Sequence, residues 1–352
     1  MLRYMTAGES HGKCLIAILD GMVAGLKIEI PFVNNELKRR QQGYGRGDRM
    51  AIESDKAQIV SGLRKQVTIG SPITMVIANK DSSIDRLPPV TCARPGHADL
   101  VGSLKYNFKD ARNALERSSA RETAARTAIG AVCKIFLSKF NIKIKSRTIM
   151  IGGIWANGEK DKLVLERITT AKRKKDTLGG IFEVISTGLP PGLGSFSSAD
   201  KKLDAALAGS LMSIQAIKGV EVGLGFRSAE EFGSNVHDAI YYDKKRGFYR
   251  NTNNAGGIEG GISNGEAIVL RCAMKPISTL MDPLDSVDLN TKRPQKAATE
   301  RSDICAVQAA GVVAEAVVAF ELAKAMLAKF GGDSLIESKR NFEGYIKQVK
   351  RA

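Results

Sequence analysis

Cysteine is scarce and never paired. The five thiols at positions 14, 92, 133, 272 and 305 contain no C-x-x-C. A disulfide frame or a zinc site needs cysteines at short spacing, so these read as reduced thiols of a cytoplasmic protein, with no metal site. Aromatics make up only 6% of the chain, and there are three histidines. No long apolar run is free of charge: the most apolar stretch, 305–330, carries Glu315, Glu321, Lys324 and Lys329. Such charges are costly in a bilayer core, so no membrane association is expected. The first twelve residues lack a signal-peptide h-region. Also missing are G-x-x-x-x-G-K-[ST] and any G-x-G-x-x-G that leads a strand into a helix. P-loop and Rossmann readings therefore fall. An apolar content of 43% excludes disorder as the main state.

What is abundant is positive charge: 53 Lys+Arg against 37 Asp+Glu over 352 residues, a net +16. A solvated basic surface, a nucleic-acid footprint and a pocket for small anions all fit that number. A nucleic-acid binder would interleave aromatics with its basic residues, whereas here they lie mostly outside the arginine loop. Strand-like runs are expected near 13–19, 67–78, 143–154, 181–186 and 267–274. A short basic helix capped by asparagine is expected over 34–42. Longer helices are expected over 120–140, 199–218 and 303–330. They alternate without a βαβ repeat, which indicates an α+β fold with mixed or antiparallel sheets. No linker divides the chain, so 1–352 is expected to be one domain, with a basic C-terminal tail over 330–352.

Six segments concentrate chemistry. His11 in G-E-S-H-G and His97 in R-P-G-H-A-D sit among small residues that let a ligand approach, and imidazole suits proton transfer. Local turn histidines would look the same. Arg39, Arg40, Arg46 and Arg49 flank a glycine-rich loop, and guanidinium forks match phosphate and carboxylate. Ser119 and Glu122 form an S-x-x-E box beside Arg117, Ser118 and Arg121, either an ordinary helix cap or a phosphate seat. The stretch 253–265 is a dense glycine corner, and Asp303 after Arg301 is either a helix cap or a carboxylate base.

Together these segments resemble chorismate synthase, a bacterial, single-function member, over Met5 to about Phe330. G-E-S-H-G at 8–12, R-R-Q-x-G-Y-G-R-G at 39–47, R-P-G-H-A-D at 94–99, E-R-x-S-A-R-E-T at 116–123, G-G-I-x-G-G-I-S-N-G at 256–265 and R-S-D-x-C at 301–305 stand in that family's order. The resemblance implies a β-α-β sandwich with helices between antiparallel sheets, assembled as a homotetramer. It implies a 1,4-anti elimination of phosphate from 5-enolpyruvylshikimate 3-phosphate, giving chorismate and requiring reduced FMN. The resemblance leaves open whether NADPH is used directly or is an indirect reductant that acts through a separate flavin reductase as a partner.

By the same resemblance His11, His97 and Asp303 are catalytic. Arg40, Arg46, Arg49, Arg94, Arg121 and Arg301 bind substrate. Arg117, Ser118, Ser119, Gln215, Ala216, Gly260, Lys275, Pro276, Ile277, Ser278, Thr279 and Arg301 bind FMN, and Arg40 and Arg46 are the NADP positions. Three features depart from the family pattern: Gln215 in place of an asparagine, Ile304 and Gln308 near the last motif, and a short 81–92 loop. A flavin protein of this fold without the elimination activity would retain the fold but need not keep His11, His97 and Asp303.

Overall fold

The computed structural model describes residues 1–47, 54–158, 161–300 and 302–351. Two antiparallel sheets enclose a layer of helices. The first contains β1 (Arg3–Ala7), β2 (Cys14–Asp20), β3 (Ala57–Ser61) and β4 (Ile73–Ala78), in the order β1-β2-β4-β3. Leu15, Ala17 and Leu19 of β2 and Ile73, Met75 and Ile77 of β4 are buried, and the residues between them are less covered. This period of two turns one face of the sheet to the helices. The second sheet contains β5 (Lys143–Ile151), β6 (Ile154–Trp155), β7 (Gly180–Thr187), β8 (Ile217–Val222) and β9 (Ile268–Met274), in the order β8-β9-β7-β5-β6. It buries Phe182, Val184, Ile268, Leu270 and Cys272.

Between the sheets lie α1 (Ile30–Gln41), α2 (Thr123–Ser138), α3 (Leu203–Met212) and α4 (Val307–Phe330). Helix α2 packs on β2 and β4, α4 packs on β5 and β7, and both pack on α1 and on each other. Both are apolar on nearly every side, as a helix covered by sheet and helix alike requires. This is the α+β sandwich with helices between antiparallel sheets expected from the sequence. The two long helices approach closely at Gly130, where a Cβ would collide with the backbone of Ala316. No helix among the described residues is long and apolar enough to cross a membrane.

One charged cluster sits inside the helical layer. Glu315 of α4, fully buried, accepts from two nitrogens of Arg39 (2.8 Å each) and from the N–H and hydroxyl of Ser146 (2.8 and 2.7 Å). Lys134 of α2 donates to both Glu315 and Glu36. Burial raises the Glu315 carboxyl, but Arg39 and Lys134 outweigh it and hold it at about 2. A single carboxylate thus ties α1, α2, α4 and the second sheet together.

Several boundaries differ from expectation. Helix α1 begins at Ile30 rather than Asn34, because Pro31 suits a first turn and the Asn34 side chain instead accepts from Ala57 N–H (2.9 Å). The stretch 199–218 is not one helix: a 3₁₀ turn at Ala199–Lys201 and an extended Lys202 precede α3, and β8 has begun by Ile217. The run 67–78 divides into Val67–Thr68 and β4, and 143–154 folds back at Gly152-Gly153 into the β5–β6 hairpin. Helix α4 starts at Val307, four residues after Asp303, so Asp303 is not its cap. The stretch expected as a basic tail carries α5 (Leu335–Val349), capped by the Ser334 hydroxyl accepting from Glu337 N–H. Its Phe342 ring meets Phe330 and Phe140 at 5.3 and 5.2 Å, so an apolar stripe binds it to the core despite its charge.

Two outcomes follow from this packing. Gly130→Ala gains roughly 1 kcal/mol of helix propensity but forces two backbones apart, so it should lower stability by about 2 kcal/mol, read from denaturant midpoints. A stabilised variant would mean that the helices are not in close contact there. Glu315 has a depressed pKa, so its stability contribution is complete above its ordinary value of 4.5 and is lost as pH falls toward about 2. That contribution is roughly 3 kcal/mol. Glu315→Gln should flatten the stability–pH slope in this window, and an unchanged slope would remove Glu315 from acid unfolding.

Candidate active site

At one edge of the helical layer the connections converge on a cavity of about 1800 Å³. The loop after β1 brings Ser10 and His11, the end of α1 brings Arg40, and the turn before α2 brings Ser118, Ser119 and Arg121. The exit of β9 supplies Lys275 to Thr279, and the approach to α4 supplies Ser302 and Asp303. The cavity wall is built from three units in which a buried carboxylate holds a cation or an imidazole.

In the first unit Glu116, 2% exposed, accepts from His11 N–H at Oε2 (2.7 Å) and from His11 Nδ1 at Oε1 (2.9 Å). A carboxylate can only accept, so Nδ1 carries the proton. Arg112 NH1 stands 3.4 Å from the same Oε1, and its NH2 donates to Glu300 (3.0 Å). Burial raises the Glu116 carboxyl, but His11 and Arg112 outweigh it and lower its pKa. The short 81–92 loop docks here, with Ile84 N–H donating to His11 C=O (3.0 Å).

The second unit repeats the design. Asp99, fully buried, accepts from Arg94 Nε (2.8 Å) and from His97 Nδ1. Burial works against its charge, yet His97 and Arg94 hold the carboxyl well below the usual carboxylate range. Arg94 NH1 also donates to the Thr279 hydroxyl (2.7 Å), which joins the His97 loop to the exit of β9. Lys275 Nζ makes a second tie through Ser278 (2.8 Å), whose hydroxyl donates to Gly96 C=O (2.8 Å).

In the third unit Asp55 accepts from Arg40 NH2 (2.9 Å) and Arg121 NH1 (2.7 Å). Burial raises the Asp55 carboxyl, but the two guanidiniums outweigh it and lower its pKa. Burial, with Arg121 and Arg46 nearby, pushes Arg40 down to about 10 against the pull of Asp55. Arg40 remains a cation at neutral pH. Two cations share one anion here, so the unit keeps a net positive charge.

Asp303 lines the same cavity. Its Oδ1 accepts from Gly47 N–H (2.6 Å) and its Oδ2 pairs with Arg46 (3.1 Å). The glycine loop is held by the approach to α4: Ile304 N–H donates to Gly45 C=O (2.8 Å), and Tyr44 N–H donates to the Gln308 side chain (3.1 Å). Ile304 and Gln308, the departures noted in the sequence, therefore anchor this loop. Gly47 leaves no room for a Cβ, which would lie 2.8 Å from Ser302 C=O.

One cavity thus gathers His11, His97, Asp303, Arg40, Arg46, Arg94 and Arg121, with Ser118, Ser119, Gln215, Ala216, Lys275, Ile277, Ser278 and Thr279. Three other positions lie off its wall. Arg117 donates to Thr6 and Gly8 carbonyls, Pro276 turns aside, and Gly260 is exposed in the hairpin Ile258–Ser263. Arg49 and Arg301 lie outside the described residues. The S-x-x-E box is half formed: Ser119 accepts from Arg121 N–H (3.3 Å), whereas Glu122 accepts from Thr6 (2.7 Å) and Arg126 (3.0 Å). Sequence reasoning assigned no role to Glu116, Asp99 or Asp55. The first two stand inside quoted motifs, close to their histidines in space or sequence. Asp55 carries no local signal.

The family model for chorismate synthase matches residues 2–327. A chorismate synthase of Thermoanaerobacter pseudethanolicus is 57% identical, with 99% of this chain and 99% of that protein covered. One of Geobacter sulfurreducens is 55% identical, with 99% and 100% covered. A crystal structure of chorismate synthase matches with a TM-score of 0.84 at 43% identity, covering 100% of this chain and 99% of that one.

Removing one partner from a buried charge cluster costs about 3–5 kcal/mol. Asp55→Asn leaves Arg40 and Arg121 facing each other, and its denaturant midpoint should fall accordingly at unchanged m-value. A loss below about 1 kcal/mol would mean that the two guanidiniums do not depend on Asp55.

Proposed function

The chain belongs to the chorismate synthase family, which converts 5-enolpyruvylshikimate 3-phosphate to chorismate and phosphate, and on that premise we propose that the cavity is where this chain performs the elimination. The observation that carries the proposal is the meeting of His11, His97, Asp303 and four arginines on one wall. The substrate bears a phosphate and two carboxylates. Burying that much negative charge requires fixed cations. Arginine keeps its charge at any working pH and presents a bidentate fork. Arg40, Arg46 and Arg121 hold the anionic groups, joined by Arg49 and Arg301, with Arg94 steadying the His97 loop.

His11 gives a proton to the departing phosphate, and preorganised cations beside it ease phosphate loss. Asp303, with its oxygens aimed by Gly47 N–H and Arg46, receives the proton lost from C6. His97, locked by Asp99, faces the flavin region. Reduced FMN, used by this family, would supply transient electron density to the reacting ring when bound. The residues fit such a group: the buried polar atoms Gln215 Oε1, Arg40 Nε and Arg46 Nε have no hydrogen-bond partner among the described residues. Ser118, Ser119, Gln215, Ala216, Lys275, Ile277, Ser278 and Thr279 would hold it.

We propose that NADPH serves as an indirect reductant, through a separate flavin reductase. Exposed Phe226, Phe232, Ile240, Tyr242 and Phe248 support a homotetramer. Five unpaired cysteines support a cytoplasmic setting, and the continuous buried core supports one catalytic unit over 1–352.

The test is anaerobic phosphate release from 5-enolpyruvylshikimate 3-phosphate with chemically reduced FMN, beside an oxidised control. Release should require reduced flavin and match the chorismate absorbance. Asp303→Ala should retain FMN binding and lower turnover by roughly 10²–10⁴. Near-normal turnover in that variant would remove Asp303 from the proton path.

A further inference from the structure

Glu116 does more than satisfy a buried imidazole. Its two oxygens take two different donors from one residue, the backbone N–H of His11 (2.7 Å) and its ring Nδ1 (2.9 Å). Main chain and ring are therefore clamped by the same rigid group. The carboxylate is itself fixed: Arg112 stands against Oε1 (3.4 Å), donates to Pro88 C=O (2.7 Å), and reaches Glu300 (3.0 Å) two residues before Ser302. Ser10 N–H donates to the Glu116 backbone carbonyl (3.1 Å), adding a third tie between the two segments.

We propose that Glu116 is a positioning residue for the elimination: it holds the Nδ1 proton of His11, so that the imidazolium gives its Nε2 proton to the leaving phosphate and is left as the Nδ1-protonated neutral tautomer. The inference rests on the reading of His11 as the proton donor to phosphate. Among the described residues, the charged groups around His11 include Glu116 and Arg112 from the helix Arg112–Ser118, Asp81 with its Oδ2 4.0 Å from Nε2, Lys80 on the cavity wall, and Glu300 behind Arg112. Among these, the Glu116 oxygens lie within hydrogen-bond distance of Nδ1.

The two donors of His11 need two acceptors, and this separates positioning from mere packing. Glutamine has the shape of glutamate but offers one acceptor and one donor. If its oxygen stays on the backbone N–H, its NH₂ meets Nδ1 and drives the proton to Nε2. In Glu116→Gln the ring should therefore change tautomer while the fold is kept. Aspartate keeps both acceptors one methylene further back and should restore the tautomer in part.

The sequence holds three histidines, and His237 is exposed, so ¹⁵N-histidine spectra of the full-length protein contain three imidazoles with a surface reference. In the wild type, two-bond ¹H–¹⁵N correlations should show His11 protonated at Nδ1. Glu116→Gln should show Nε2 protonated and turnover reduced about 100-fold or more, with KM and FMN binding close to wild type. Glu116→Asp should recover part of the turnover. A wild-type His11 protonated at Nε2 alone, with Nδ1 bare, overturns the proposal even if no variant folds. So does a folded Glu116→Gln with unchanged tautomer or unchanged kcat. A wild type that binds FMN and substrate but releases no phosphate, with His11 protonated at Nδ1, would remove the functional reading and leave the clamp in place.

Discussion

Concentrating guanidiniums and imidazoles on one wall costs electrostatic energy, and buried carboxylates placed behind them offset that cost. Asp55 stands behind Arg40 and Arg121, Asp99 behind Arg94 and His97, and Glu116 behind His11. Each carboxylate is nearly or fully withdrawn from water, where an unpaired charge would be intolerable. Each must therefore keep its partner, and each partner's orientation is set before any ligand arrives. Such preorganisation is what favours departure of a phosphate over mere binding of one. The Asp55 unit keeps a net positive charge, so the wall remains attractive to anions.

The rest of the fold keeps these units in register. Arg40 ends α1, Arg121 precedes α2, and Asp303 precedes α4, so movement of any of the three helices would misplace a site group. The helices cannot slide easily. Gly130 lets α2 and α4 touch backbone to backbone, and Glu315 binds α1, α2 and α4 to the second sheet. Side chains on loops gain their precision from that core, a common division between scaffold and chemistry.

Much of the architecture was legible from periodicity. The apolar run 13–19 and the β-branched run 67–78 predict strands, and the stretches 120–140 and 303–330 predict long helices. Boundaries failed where a local signal pointed elsewhere. Asn34 looks like a cap but serves β3, and Asp303 looks like a cap but holds Gly47 and Arg46. The stretch 199–218 reads as continuous helix, yet its last residues are claimed by pairing with β9. In each case a tertiary partner outweighed a local preference of about 1 kcal/mol.

The sequence by itself determined the chemistry available: scattered thiols, arginines beside glycines, two histidines among small residues, and six motifs in one order. Side-chain types and short spacings suffice for that. Only the tertiary structure decided which carboxylate stands behind which cation. Glu116 meets His11 across 105 positions and Asp55 meets Arg121 across 66. No local pattern encodes such contacts, because they arise where two packed sheets and their helices bring chain ends together. The same packing decided that the basic C-terminal stretch lies down as a helix on Phe330 and Phe140, since its apolar stripe gains more by burial than its charges lose at the surface.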